Sequence, residues 1–248
     1  MDDIRNEVPP RRRTADALVA SWVARPRLDV LKLVAMESML IDHLNTIWFA
    51  AEYVALRAIG RLAFPLFAFV LAYNFVRHTR HPARYICRLM LWGVVSQLFF
   101  QYAFDGDLLN IFFTLGSGLC VTALFRRTPA LGTTLAVALL GVSTFHVPIA
   151  ARLDFGIEGV LLVFVYAQVI ERPSWWRAVL AIVFTALVNP RDDALLSTIY
   201  NFAAVTSLLV IAVSGKFPGE WHWMRRWGLA FYFFYPAHLF VLKTLAPR

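Results

Sequence analysis

Residues 28–49 read LDVLKLVAMESMLIDHLNTIWF, an unbroken apolar run without Pro or Gly that nevertheless carries Asp29, Lys32, Glu37, Asp42 and His43. A helix that crosses a bilayer needs ~20 mostly apolar residues, and this stretch has that length. Each charge at the bilayer centre costs ~2.5–3.5 kcal/mol on insertion scales, so such side chains face a protein interior or a wet cavity. Lys32 and His43 are eleven positions apart. At 100° per residue both project from one helix face, ~16 Å apart along the axis. Asp42 points ~100° away from His43 on the same helix and is expected to meet a basic partner such as Arg61.

The same pattern recurs outward from this run. Further apolar stretches cover residues 61–76, 86–104, 111–125, 130–147, 156–170, 177–189, 194–213 and 227–246, each bounded by charges, Pro or Gly. The chain of 248 residues is 59% hydrophobic and 16% charged, against ~25% charged in ordinary soluble domains. The expected fold is an all-α polytopic integral membrane protein of about nine transmembrane helices. Residues 1–28 form a separate cytoplasmic N-terminal segment, and residues 29–248 form the membrane domain. No cleavable signal peptide is expected, because the charged start has no apolar core behind it. Ala15, Leu18, Val19, Trp22 and Val23 fall on one face of a helix that would lie along the membrane lipids, with Arg11, Arg12 and Arg13 at the headgroups. A disordered tail is the alternative.

The net charge is +8 and the isoelectric point about 9.9. A nucleic-acid binder would also be this basic, but the charges are placed otherwise. With the N-terminus in the cytoplasm, seventeen Lys and Arg fall in inside segments and six in outside segments, with Lys32 in the first span. That bias follows the positive-inside rule for a bacterial inner membrane and leaves no nucleic-acid partner to expect. The inside set includes Arg77, Arg80, Arg84 and Arg88; the outside set includes Arg57 and Arg61. The two cysteines, Cys87 and Cys120, have neither disulfide-framework nor metal-site spacing.

Candidate functional residues gather at the level of the outer face. His43 is the side chain best suited to take a proton near neutral pH. Arg61 opens the second span and is a strong donor to an oxyanion or carboxylate. Asn110, Asp154 and Glu158 rank above the other outer polar residues, and Asp154 and Glu158 share a helical face if the sixth helix starts early. Tyr235 and His238 are adjacent on one face of the last span, where Pro236 invites a bend. Gly116 and Gly118 read as helix-packing residues. The same buried Asp, His and Glu would serve a proton-coupled transporter.

The pieces LKLVAMESMLIDH, GRLAFPLFAFVLAYN, NIFFTLGSGL, DFGIEG and FYPAHL, spread over residues 31 to 240, resemble the TraX family, named for a conjugal-transfer protein linked to acetylation of pilin. That family looks like a branch of the transmembrane acyltransferases, many of which carry an Arg, ten residues and then a His in the first span. Lys32 stands at the Arg position and His43 at the His position, which keeps the charge and loses the planar fork. The resemblance implies transfer of an acetyl group from cytoplasmic acetyl-CoA to the N-terminal amine of a pilin subunit on the far side, with no metal. His43, Asp42 and Arg61 would be the catalytic group. Lys32, Arg84 and Arg88 would hold the acetyl-CoA, and Asn110, Asp154, Glu158, Tyr235 and His238 would meet the acceptor. Head-to-tail joining of pilin ends, glycan O-acetylation and a passive assembly role are the other readings.

Overall fold

The computed structural model describes residues 14–144, 152–189, 193–217 and 230–247. Arg11, Arg12, Arg13, Arg191, Asp192, Arg225 and Arg226 therefore lie outside the described residues. Eleven helices make up the described chain: α1 (Thr14–Ala24), α2 (Leu28–Trp48), α3 (Val54–Gly60), α4 (Ala63–Arg77), α5 (Pro82–Ala103), α6 (Ile111–Arg127), α7 (Pro129–Thr144), α8 (Gly156–Glu171), α9 (Trp175–Leu187), α10 (Ala194–Ser214) and α11 (Ala230–Thr244). The protein is all-α, and its extended pairing among the described residues is a single parallel bridge between Leu109 and Leu153. Among the described residues, each apolar run read from the sequence is helical over most of its length.

Helix α8 is the hub. Its sequence GIEGVLLVFVYAQVIE is apolar on every side, the pattern of a helix enclosed by others, and eleven of its residues are buried. Helices α4, α6, α7 and α9 pack around it. Gly118 permits the closest of these approaches: a Cβ there would stand 2.5 Å from the Val163 Cβ and 2.7 Å from the Val160 carbonyl oxygen. Close backbone approach through small residues is how helices gain packing energy where the hydrophobic effect between them is absent. Helix α2 lies on α4 on one side and on α11 on the other, and α5 closes the group by packing on both α6 and α11. Helix α1 is docked by Val19 and Val23, both buried, against α8, α9 and α10. The Asp16 carboxylate accepts the Trp175 backbone N–H at 2.8 Å, tying α1 to the start of α9.

The exterior is apolar. Leu98 is 72% exposed, Phe202 73% and Leu195 70%, and exposed large aliphatic side chains run along α5, α9 and α10. A water-facing surface rarely carries so continuous an apolar patch. Two stretches among the described residues, Val54–Arg77 and Ala194–Ser214, are long and apolar enough on their own to cross a membrane. The other runs fall short by length, as in the 13 residues of α9, or by charge, as in α2, where Asp42 is buried but Glu37 is exposed rather than turned inward.

The second span does not begin at Arg61 as its apolar run suggests. A short helix, α3, precedes it, and the chain turns at Arg61 and Leu62 before α4. The α2–α3 connection is tight enough to force Ala50 and Ala51 to positive φ, 49° and 63°. Asn45 holds this turn: its side-chain amide donates to the Tyr53 carbonyl at 3.0 Å and accepts the Tyr53 N–H at 3.2 Å. The left-handed region costs a non-glycine residue ~1–2 kcal/mol. Ala51→Gly is therefore expected to raise thermal stability in detergent by up to about 1 kcal/mol. An unchanged or lower melting temperature would show that the turn is not strained.

Candidate functional site

The turn at Ala50 and Ala51 sends α3 back along α2, so that Arg57 of α3 and Arg61 at its C-cap, four residues apart, drop onto one point of α2. That point is Asp42. Its two carboxylate oxygens are taken by different guanidinium groups: Oδ1 accepts from Arg57 Nη1 at 3.1 Å, and Oδ2 is ion-paired with Arg61 Nη2. Arg57 also donates to the Thr46 hydroxyl at 2.7 Å, and Arg61 to the Asn189 side-chain oxygen at 3.1 Å. Asp42 is 7% exposed and Arg61 9%. Gly60 is the residue that allows this contact, because a Cβ there would overlap the Asp42 Cβ at 2.3 Å. The result is a buried carboxylate clamped by two cations, its fixed dipoles turned toward the neighbouring cavity.

One position further on α2, His43 meets His238 of α11. Their ring nitrogens, His43 Nδ1 and His238 Nε2, are 2.7 Å apart, with the two rings in nearly parallel planes, 2° apart. The hydrogen positions follow from one fixed partner. His238 Nδ1 lies 2.8 Å from the Phe234 carbonyl oxygen, which can only accept, so Nδ1 carries the proton. In the neutral ring Nε2 then holds a lone pair and accepts from His43 Nδ1–H. This assigns the remaining lone pair of the dyad to His43 Nε2, and a proton gained there is shared with His238 through the 2.7 Å bond. Phe104 and Tyr235 stand edge-on to the His43 ring, at 5.2 and 6.3 Å between centroids.

Two cavities lie along the α2, α4, α5, α6 and α11 walls. The smaller, of about 200 Å³, is lined by His43, Asp42, Arg57, Arg61, Asp154 and Tyr235. The larger, of about 690 Å³, is lined by Lys32, Arg84, Arg88, His78 and His81 at its polar end and by Phe67, Val70 and Leu115 deeper in. Its cations stand on aromatic rings: Lys32 Nζ is 4.9 Å from the Phe231 centroid, and Arg88 is 5.4 and 5.6 Å from Tyr85 and Tyr232. Such placement stabilises a cation while leaving its N–H groups able to bind an anion. Lys32 and His43 thus open into different cavities although they share a face of α2.

Of the remaining sequence candidates, Asp154 reaches the smaller cavity through the backbone bridge that joins Leu109 to Arg152 and Asp154, with N···O distances of 2.7 and 3.1 Å. Burial pushes its carboxyl up to about 6, with Arg61 opposing that shift. It does not share a helical face with Glu158, because α8 begins only at Gly156, where φ is +59°. Glu158 lines neither cavity. Asn110 lines neither as well and is fully buried. It is the N-cap of α6, accepting from the Phe112 N–H at 3.0 Å and donating to Gly93 and Gln97 at 2.8 and 2.9 Å. Its side chain is thus engaged in capping α6 and tying it to α5. Two site residues had no place among the sequence candidates, Arg57 and Asn189. The first was legible as Arg57-x-x-x-Arg61, two cations on one helical face; no local signal marks the second.

The fold and site together define an all-helical protein with an apolar exterior, a buried acid–cation cluster beside a histidine pair, and a basic chamber behind it. The family model for TraX protein matches residues 27–246, and the chain belongs to the TraX family. A probable fimbrial assembly protein FimC, serogroup H1, of Dichelobacter nodosus is 32% identical over 239 residues, covering 86% of this chain and 92% of that protein. A Protein TraX of Escherichia coli is 32% identical over 233 residues, covering 88% of this chain and 86% of the relative; that of strain K12 is 31% identical over the same length. No solved structure matches the chain.

Proposed function

We propose that this chain is a polytopic inner-membrane acyltransferase that moves an acetyl group from cytoplasmic acetyl-CoA to the N-terminal amine of a pilin subunit on the outer side. The observation that carries the reading is the pair of cavities on one helical shaft, one lined with cations and aromatics, the other with a histidine base and two guanidinium groups. The apolar exterior supports the membrane setting, with nine spans and a cytoplasmic N-terminus in keeping with the Lys and Arg bias. The relatives' names, fimbrial assembly protein and TraX, support a pilus subunit as acceptor.

Lys32, Arg84 and Arg88 would hold the phosphates of acetyl-CoA, and the apolar depth of that chamber its thioester arm. In the smaller cavity the amine nitrogen attacks the thioester carbonyl carbon. The ammonium first releases one proton to water; the free amine then forms the N–C bond as the C–S bond breaks, His43 Nε2 takes the second nitrogen proton and passes it to the departing sulfur, and the free thiol leaves. Arg61 and Arg57 face the charge that develops on the carbonyl oxygen, where preorganised cations act most strongly. Asp154 offers a counter-charge to the incoming ammonium.

Intact-mass analysis of co-expressed pilin, with and without this protein, tests the reading. A gain of one acetyl group at the pilin N-terminus is expected. Loss of one water on head-to-tail joining would establish the rival reaction, and ion-dependent uptake without acetyl-CoA consumption would establish a transporter. Lys32→Ala should raise the KM for acetyl-CoA about tenfold or more, a loss of ~1.4 kcal/mol, with the acceptor KM unchanged, and Lys32→Arg should restore it. An equal rise in both KM values would make Lys32 a packing residue. Acceptor binding has its own pH signature. An N-terminal amine with a pKa of ~7.7–8.0 arrives as ammonium, and Asp154 loses its charge as pH falls through about 6. The acceptor KM should therefore rise below about pH 6 in the native enzyme and stay flat there in Asp154→Asn. A step that persists in Asp154→Asn would assign the titration elsewhere.

A further inference from the structure

The two cavities approach each other most closely along α4, α6 and α11. On α4 Phe67 lines the larger and Phe64 the smaller; on α11 Tyr232 lines the larger and Tyr235 the smaller. Each pair is three residues apart, ~4.5 Å of helix rise. On α6 the division falls between consecutive residues, Ile111 on the smaller cavity and Phe112 on the larger. There the Phe112 and Tyr235 rings meet edge to face, 5.2 Å between centroids at 72°. Phe112 is 8% exposed and Tyr235 3%.

The two rings differ in what holds them. Tyr235 is held edge-on to both His43 and His238, at 6.3 and 5.7 Å between centroids. Phe112 has its ring stacked beside Tyr232, 6.0 Å between centroids, as well as edge-on to Tyr235. Its N–H is capped by Asn110 at 3.0 Å, and its Cβ lies 3.3 Å from where a Cβ on Gly93 would stand. The ring makes no hydrogen bond and borders a cavity of about 690 Å³, which offers it space to turn into.

We propose that Phe112 is the movable partition between the two cavities, and that its ring sets the size of the acyl group admitted from the basic chamber to His43. The size rule rests on the acyl-transfer reading; the partition does not. A small acyl group passes a ring turned toward the larger cavity, and a longer chain needs the space the ring itself occupies. Removal of the ring should join the chambers, while a larger aromatic ring should keep them apart.

The test uses the full chain in oriented proteoliposomes, with Cys87→Ser and Cys120→Ser and a reporter thiol at Met39→Cys, which lines the smaller cavity. A membrane-impermeant cationic methanethiosulfonate is added to one face at a time. With Phe112 present, labelling from the face of the basic chamber should be at least about tenfold slower than from the other face. Phe112→Ala should make the two rates similar, Phe112→Leu should fall between, and Phe112→Trp should keep the asymmetry. Similar rates with Phe112 intact, or persistent asymmetry in both Phe112→Ala and Phe112→Leu, would overturn the partition. In a second arm, acetyl-CoA and butyryl-CoA are compared as donors. Phe112→Ala should raise butyryl relative to acetyl transfer about tenfold, and an unchanged ratio would overturn the size rule. Expected labelling with neither donor consumed would refute acyl transfer and the size rule while upholding the partition. Transfer with no labelling asymmetry would refute the partition alone.

Discussion

His43→Ala is expected to lower acetyl transfer by about 10²–10⁴-fold, the usual worth of general-base help, with membrane insertion and abundance unchanged. The hydrogen-bond order makes a second, sharper expectation. His238 does not abstract the proton; it accepts from His43 Nδ1–H at 2.7 Å and so fixes the tautomer that presents Nε2. His238→Ala should therefore lose less than His43→Ala, through a wrong tautomer and a loose ring. His238→Gln should recover part of the loss, because its side-chain oxygen can accept the same bond. His43→Gln should recover nothing, since an amide cannot take the proton. Native activity should climb with pH as the neutral ring is populated. The measurements are kcat against pH on purified variants of matched abundance. Near-native kcat in His43→Ala would sink the assignment, and equal losses in His238→Gln and His238→Ala would reduce His238 to a packing residue.

The helices were legible because their apolar runs are long and uninterrupted, and α8 was legible even as a buried element because it has no polar stripe to turn outward. What escaped was local. Helix α3 is only 7 residues, VALRAIG, inside a stretch that read as the outer segment holding Arg57, just ahead of the span opened by Arg61. Its direction depends on Ala50 and Ala51 in the left-handed region, and alanine carries no sequence preference for that conformation. The consequence was chemical: without the tight turn, Arg57 has no route to Asp42.

The site divided along the same line. Asp42 with Arg61 was readable as a buried acid needing a cation near the same level. His43 with His238 was not readable as a pair, because 195 positions separate them and no helical spacing rule reaches across two elements. Asn110 could be read in two ways. A polar residue before an apolar helix at the outer level fits a binding residue and an N-cap equally well in sequence, and the Phe112 N–H and Gly93 carbonyl decide for the cap. Glu158 was assigned to the site on the expectation of an early helix start, which Gly156 at positive φ cancels.

Asp42→Asn should be the most destabilising single change at the site. It keeps the shape of the side chain and removes the one negative charge between two guanidinium groups, Arg57 at 3.1 Å and Arg61 in direct ion pair. Breaking a buried ion pair by neutralising one partner costs ~3–5 kcal/mol, because the other charge stays buried without compensation. Here Asp154 still acts on both Arg61 and Arg57, so the loss belongs at the lower end of that range. If the cost is electrostatic, it should be relieved by removing one cation. Asp42→Asn with Arg57→Gln should therefore be more stable than Asp42→Asn alone, a coupling readable in a double-mutant cycle. Arg61→Lys should keep the charge balance yet lose the planar fork that reaches both Asp42 and Asn189, so its stability should fall less than its kcat. Thermal unfolding in lipid nanodiscs, run beside transfer assays, separates the two effects. A double variant no more stable than Asp42→Asn, or a single-variant loss below about 1 kcal/mol, would mean that this cluster is solvated and does not hold α3 against α2.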